Sequence, residues 1–133
     1  MKLSFKIKKN IDYTYDYLTD MQKFASAHPL ISKIDKIGQE RYLVHETLKF
    51  GKIPFSFTYP VNLEKCPIDK TIVIRAIVFK ITKIEMKFYL KSYNDCTIID
   101  EIIHFYSPLP IKFILQRVFK KQHEILFQNI EAN

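Results

Sequence analysis

Few residues in this chain combine a reactive type with a sheltered position. Glu46 shares one face of an alternating segment with Tyr42, Val44, Leu48 and Phe50, and Glu101 shares another with Ile103 and Phe105. A carboxyl on such a face is raised in pKa by desolvation and can serve as an acid, a base or an anchor for a ligand hydroxyl. The plainer alternatives are a strand end open to water, or a register shifted by a bulge. Tyr59 offers a phenol on a third inward face, where a tyrosine more often buries its ring and sends its hydroxyl to backbone or water. These two, Glu101 and Tyr59, are the candidates for any acid or base chemistry.

The four histidines are scattered. His28 falls in a loop, His45 and His104 on outward strand faces, and His123 on the flank of the last helix, so surface or capping roles are expected for all four. None stands at metal-ligand spacing from another, and no Cys-His or Ser-His-Asp arrangement can be read. Gly-rich phosphate loops and zinc signatures are absent. No metal and no cofactor are expected. Cys66 and Cys96 lie in different segments and read as free thiols of a reducing compartment.

The elements that must position these groups follow from hydrophobic period. Residues 108–130 carry Ile111, Ile114, Leu115, Val118, Gln122, Ile125, Leu126 and Asn129 at the three-and-four spacing of a long amphipathic helix. No other helical stripe is long enough to partner it, so its apolar face must close over a sheet. Residues 2–9 alternate strictly, with Leu3, Phe5 and Ile7 on one face and lysine or serine on the other. Asn10 or Asp12 then caps one short helix carrying Tyr13, Tyr17, Leu18, Met21 and Phe24, which stops before His28-Pro29 because proline disfavours a helical residue ahead of it. About six extended segments follow, turning near Gly38, Gly51, residues 66–70 and residues 93–95. Pro60 suits an edge or a bulge. The clearest register is residues 84–90, where Ile84, Met86, Phe88 and Leu90 alternate with Glu85, Lys87 and Tyr89. Pro108 and Pro110 end the last strand and release the helix.

The fold class is therefore α+β, one domain over residues 1–133, with helices at the ends of a meander. Its element order resembles the START-like helix-grip superfamily, also called SRPBCC, the polyketide-cyclase and lipid-transport group. The resemblance rests on the opening strand at residues 3–7, the short helix ending in His28-Pro29-Leu30-Ile31, and the run Thr97-Ile98-Ile99-Asp100-Glu101-Ile102-Ile103-His104-Phe105 leading through Pro108 into the long helix. It implies a curved antiparallel sheet wrapped around the C-terminal helix, with a short helix after the first strand. In one branch that looks similar in more detail, Glu101, Ile103, Phe105 and Pro108 match, but Ile84, Met86 and Phe88 stand where its members carry Trp and His. The interior is expected to be greasier for it.

The resemblance further implies a cavity between sheet and helix that holds a lipid-like or polycyclic ligand. The expected wall is Phe57, Tyr59, Ile74, Ala76, Met86, Phe88, Glu101, Ile103 and Phe105, closed by Ile114, Val118 and Gln122. The leading expectation is binding of a small apolar molecule without catalysis. The rivals are a polyketide cyclase, aromatase or dehydratase using Glu101 or Tyr59, and a protein or polyanion interaction module with a vestigial cavity.

The formal charge of +7 raises the question of polyanions, but only three of the 21 basic residues are arginine, which supplies the bidentate and stacking contacts of recognition. No specific nucleic acid partner is expected. Lys112, Arg117, Lys120 and Lys121 form a basic flank on the last helix, read as a solvated face with peripheral membrane contact as the alternative. Lysine or serine interrupts every apolar pair at the N-terminus, and no segment has the length of a membrane span, so a cytoplasmic location is expected.

Overall fold

In the computed structural model the chain is described over residues 1–133 apart from the Phe50 side chain, so the inward placement expected for that residue lies outside what is described. The strands are β1 (Lys2–Ile7), β2 (Ile31–Gly38), β3 (Arg41–Phe50), β4 (Ile53–Cys66), β5 (Thr71–Val78), β6 (Thr82–Tyr93) and β7 (Cys96–Tyr106). The helices are α1 (Ile11–Thr19), α2 (Met21–Ala27) and α3 (Lys112–Ala132). The strands form one antiparallel sheet in the order β1-β7-β6-β5-β4-β3-β2. Six strands thus meander as hairpins, and β1 closes on β7 with Phe5 opposite Ile99. This is the α+β helix-grip fold, a curved sheet holding the long C-terminal helix.

Where the sequence predicts one short helix, there are two. Asp20 takes an extended conformation (φ −85°, ψ 108°), ends α1 and caps α2 by accepting hydrogen bonds from the backbone N–H of Gln22 and Lys23. An aspartate satisfies the open donors of a helix start, and here that outweighs continuing the first helix. Asn10 caps α1 through the Tyr13 N–H. Pro60 is tolerated inside the sheet because β4 pairs with β5 only from Val61 onward, leaving residue 60 paired on one side, with β3.

The core lies between the concave face of the sheet and α3. Ile72, Ile74, Ile84, Phe88, Ile99 and Ile103 are buried from the sheet, and Leu126, Phe127 and Ile130 from the helix. Phe127 meets Phe5 at a ring-centroid distance of 4.5 Å and Phe88 at 6.4 Å. The apolar stripe of α3 is turned by about one residue from the expected one. Phe119, His123, Phe127 and Ile130 face the sheet with Leu126 and Gln122, while Ile114 is 64% exposed. Two overlapping stripes compete on this helix, and the one carrying the phenyl rings prevails because it buries more area. No helix among the described residues is long and apolar enough to cross a membrane.

Candidate functional site

Strand parity brings two polar pairs to the concave side. The first is Glu46 on β3 and Tyr59 on β4, whose backbones lie beside each other through the pairs Val44↔Tyr59 and Glu46↔Phe57. The Tyr59 hydroxyl donates to Glu46 Oε1 at 2.8 Å. Burial holds the Glu46 carboxyl above the ordinary glutamate range, against the hydrogen bond from Tyr59. Burial, reinforced by the carboxylate beside it, pushes the Tyr59 phenol well above its ordinary value.

The second pair is Glu101 on β7 and His123 on α3, 2.7 Å apart at Nδ1. Glu101 is 0% exposed and His123 2%. Phe88 stacks near the imidazole and Phe119 meets it edge-on, with centroids 6.3 and 5.5 Å away. Both Glu101 carboxylate oxygens lie 2.7 Å from His123 Nδ1, with the hydrogen bond made to Oε1, and Oε2 has no further polar partner among the described residues. The surface role expected for His123 is therefore corrected: the turned phase of α3 carries it under the helix, onto the carboxyl of the last strand. His28 is also buried rather than a surface loop residue. Its Nδ1 accepts the Leu30 N–H at 3.1 Å, and burial together with nearby His123 lowers its pKa to about 3. His45 and His104 do face outward, His45 paired with Asp35 at 2.8 Å.

Between α3 and the sheet is a cavity of about 140 Å³. Phe57, Tyr59, Ala76, Met86, Val118 and Gln122, all expected wall residues, line it. Glu46, Leu48, Val78, Phe79, Thr82, Ile84, Ile111, Leu115 and Phe119 complete it and are not among the expected wall residues. Ile74, Phe88, Ile103 and Glu101 lie in the packed core instead, and Phe105 packs against Phe119 with centroids 5.3 Å apart. The remaining expected residue, Ile114, points to solvent. An open groove of about 660 Å³ adjoins the cavity, running between residues 29–32, the end of β3 and α3. Leu48, Val118 and Gln122 are walls of both. The cavity wall is thus mainly apolar, and its polar side chains are the joined pair Glu46 and Tyr59, with Gln122 from α3 and Thr82 from the start of β6. Among the described residues no three His, Cys, Asp or Glu side chains are grouped to hold a metal ion.

A helix-grip sheet with this interior is the architecture of the START-like, or SRPBCC, superfamily. A conserved protein from Geobacillus kaustophilus superposes with a TM-score of 0.81 at 14% identity, over 98% of this chain and 91% of that one. A START superfamily protein from Mycobacterium smegmatis gives 0.76 at 13% identity, over 99% and 94%. The Zhui aromatase/cyclase from Streptomyces sp. R1128 gives 0.67 at 12% identity, over 99% and 90%. Within the superfamily, the chain belongs to the CoxG family, described as a subunit of carbon monoxide dehydrogenase, whose pattern matches residues 4–96. The matched segment holds Glu46, Tyr59 and most of the cavity wall, and stops before Glu101 and His123. No curated protein matches the chain.

Proposed function

We propose that the chain, acting as one domain, binds a small, largely apolar molecule between α3 and the sheet, with one polar group of the ligand turned to Glu46, Tyr59 and Gln122. The observation that carries this reading is the cavity itself, whose wall is mainly apolar with a few polar side chains. Pockets of this make-up bind through buried apolar area and use a few polar groups for orientation. At about 140 Å³ the enclosed space is below the range of roughly 300–1,000 Å³ that encloses a drug-sized ligand. It therefore suits one ring or a chain end, and the rest of a longer ligand lies in the adjoining groove.

The test is titration with a fluorescent fatty acid and a polycyclic probe, on the unmodified protein and on Ala76→Phe. Ala76 is buried with its side chain at the cavity wall, so phenylalanine there fills the space the ligand would take. Saturable binding that weakens at least about tenfold in the variant is expected, since a lost pocket of this kind costs more than ~1.4 kcal/mol. Absence of saturable binding, or equal binding by the variant, defeats the proposal.

A second reading is acid–base chemistry on a polyketide-like substrate, favoured by the Tyr59–Glu46 hydrogen bond at the cavity wall. Glu101 is the weaker candidate, because its carboxyl is sealed in the core against His123. Under this reading Glu46→Gln abolishes turnover while leaving probe binding in place.

A further inference from the structure

The net positive charge of this protein sits at one end of it. Three segments meet around the cavity mouth: residues 48–59, which form the β3–β4 hairpin, residues 76–84, which form the β5–β6 turn, and residues 109–122, which lead from the β7–α3 connection into the first half of α3. Phe57 of the first and Phe79 of the second are in contact, with centroids 5.0 Å apart, and Ile111 and Leu115 of the third line the same cavity. These segments hold eight of the 21 Lys and Arg and none of the 14 Asp and Glu; elsewhere 13 bases face 14 acids. The eight are Lys49, Lys52, Lys80, Lys83, Lys112, Arg117, Lys120 and Lys121. All are exposed, and none has an ion-pair partner among the described residues.

Large apolar side chains stand among these cations in the open. Phe113 is 86% exposed, Ile53 72%, and Ile114, Phe79 and Leu109 are exposed as well. They occupy tips, where water contact is greatest: Ile53 opens β4, Leu109 lies in the β7–α3 connection, and Phe113 and Ile114 sit on the first turn of α3. Phe79 is placed there at a conformational cost. It and Lys80 have φ of +54° and +63°, in a three-residue connection that the Ile81 N–H closes on the Val78 carbonyl at 3.3 Å, and two successive positive φ values are a conformation that Asn and Gly favour. The β6–β7 hairpin solves the same problem in the ordinary way, with Asn94 and Asp95. At the start of α3, Lys112 stands at a helix N-terminus with no acidic residue and no side-chain cap, a placement that disfavours a cation unless an anion lies nearby.

We propose that this end of the molecule docks on an anionic lipid bilayer, with Phe113, Ile114, Ile53 and Phe79 entering the headgroup and upper acyl region and the surrounding lysines on anionic headgroups. Apolar tips ringed by cations are the composition that partitions to such an interface. A nucleic acid would leave the phenyl and aliphatic tips uncovered, and only one of the eight cations is an arginine, the side chain best suited to reading bases. A second copy of the same surface would set eight cations against eight. The inference does not depend on what the cavity holds, although it places the mouth against the membrane.

The chain has no tryptophan, so Phe113→Trp creates a single reporter at the most exposed of these tips. Vesicles of phosphatidylcholine with and without phosphatidylglycerol are the probe. The expected result is a blue-shifted emission and co-sedimentation with the anionic vesicles, roughly tenfold above the neutral ones and reduced by salt. Phe113→Ser/Ile114→Ser and Lys52→Glu/Lys112→Glu each abolish it, while the charge-matched Lys36→Glu/Lys91→Glu, on other faces, retains the apolar insertion and most of the binding. Thermal unfolding of each variant controls for folding, and probe binding in solution separates this result from that for the cavity. No emission shift with either vesicle, equal loss in the control pair, or retention by DNA without vesicle binding overturns the proposal.

Discussion

The buried pair of Glu101 and His123 shows what single residues contribute here. Two ionisable groups in a core of phenyl and branched side chains are tolerated because they meet at 2.7 Å, so each satisfies part of the other's need for a hydrogen bond. Removing one partner leaves the other buried alone. His123→Leu is therefore expected to lower unfolding stability by about 3–5 kcal/mol, whereas Glu101→Leu/His123→Leu, which replaces both by apolar groups, recovers most of the loss. Urea unfolding of the three proteins checks this. Equal losses in single and double variants would mean that packing around the imidazole, not the pairing, is what matters. The pair is only half legible in the sequence. The two-residue period of its strand places Glu101 inward, but its partner lies 22 positions away on a helix. Period alone says nothing of how two elements meet.

Elements differ in how plainly they can be read, for a geometric reason. A strand has two faces, so one clear alternation such as Ile84, Met86, Phe88 and Leu90 settles which side is buried, and all four are buried. The inward positions of Glu46 and Tyr59 follow from the same parity. A helix can be turned by any angle, and α3 offers apolar side chains around more than half its circumference. Its phase depends on which stripe the sheet accepts, a tertiary choice that moves His123 inward and Ile114 outward. The break between α1 and α2 depends on one side chain. Asp20→Ala should cost about 1 kcal/mol in thermal or urea unfolding, as loss of an N-cap does elsewhere, and Asp20→Asn, which keeps the acceptor, much less. If both cost the same, the break is held by packing of Leu18, Met21 and Phe24.

The whole molecule is asymmetric along its length, and the asymmetry bears on its response to acid. Away from the cavity mouth, α3 is fastened by its C-terminal half: Asn129 donates to the Ala27 carbonyl at 2.8 Å, Glu131 accepts the Lys8 N–H at 2.7 Å, and the Tyr13 hydroxyl donates to the Asn133 carbonyl at 2.7 Å. The other half lies over the cavity. His28 stands where the α2–β2 connection meets this fastened part, stacked on Phe24 with centroids 5.9 Å apart and facing His123 of α3. Burial lowers its pKa to about 3. The unfolded chain, with an ordinary histidine near 6.5, binds a proton over that interval while the folded one does not. Stability from His28 is thus complete above 6.5 and is lost as the pH falls toward 3, by about 2–3 kcal/mol at pH 4.5. Glu46 acts in the opposite sense: its raised pKa makes the folded state the better proton binder just above the ordinary carboxylate range, so its contribution is present in acid and lost as pH rises through its folded value. Net acid sensitivity below pH 6.5 is then expected from His28. In His28→Asn the side-chain oxygen takes the place of Nδ1 as acceptor for the Leu30 N–H, so the loop keeps its hydrogen bond and loses its titration. Urea midpoints between pH 7 and pH 4.5 should fall steeply for the native chain and little for the variant, and parallel slopes would assign the acid sensitivity to other groups.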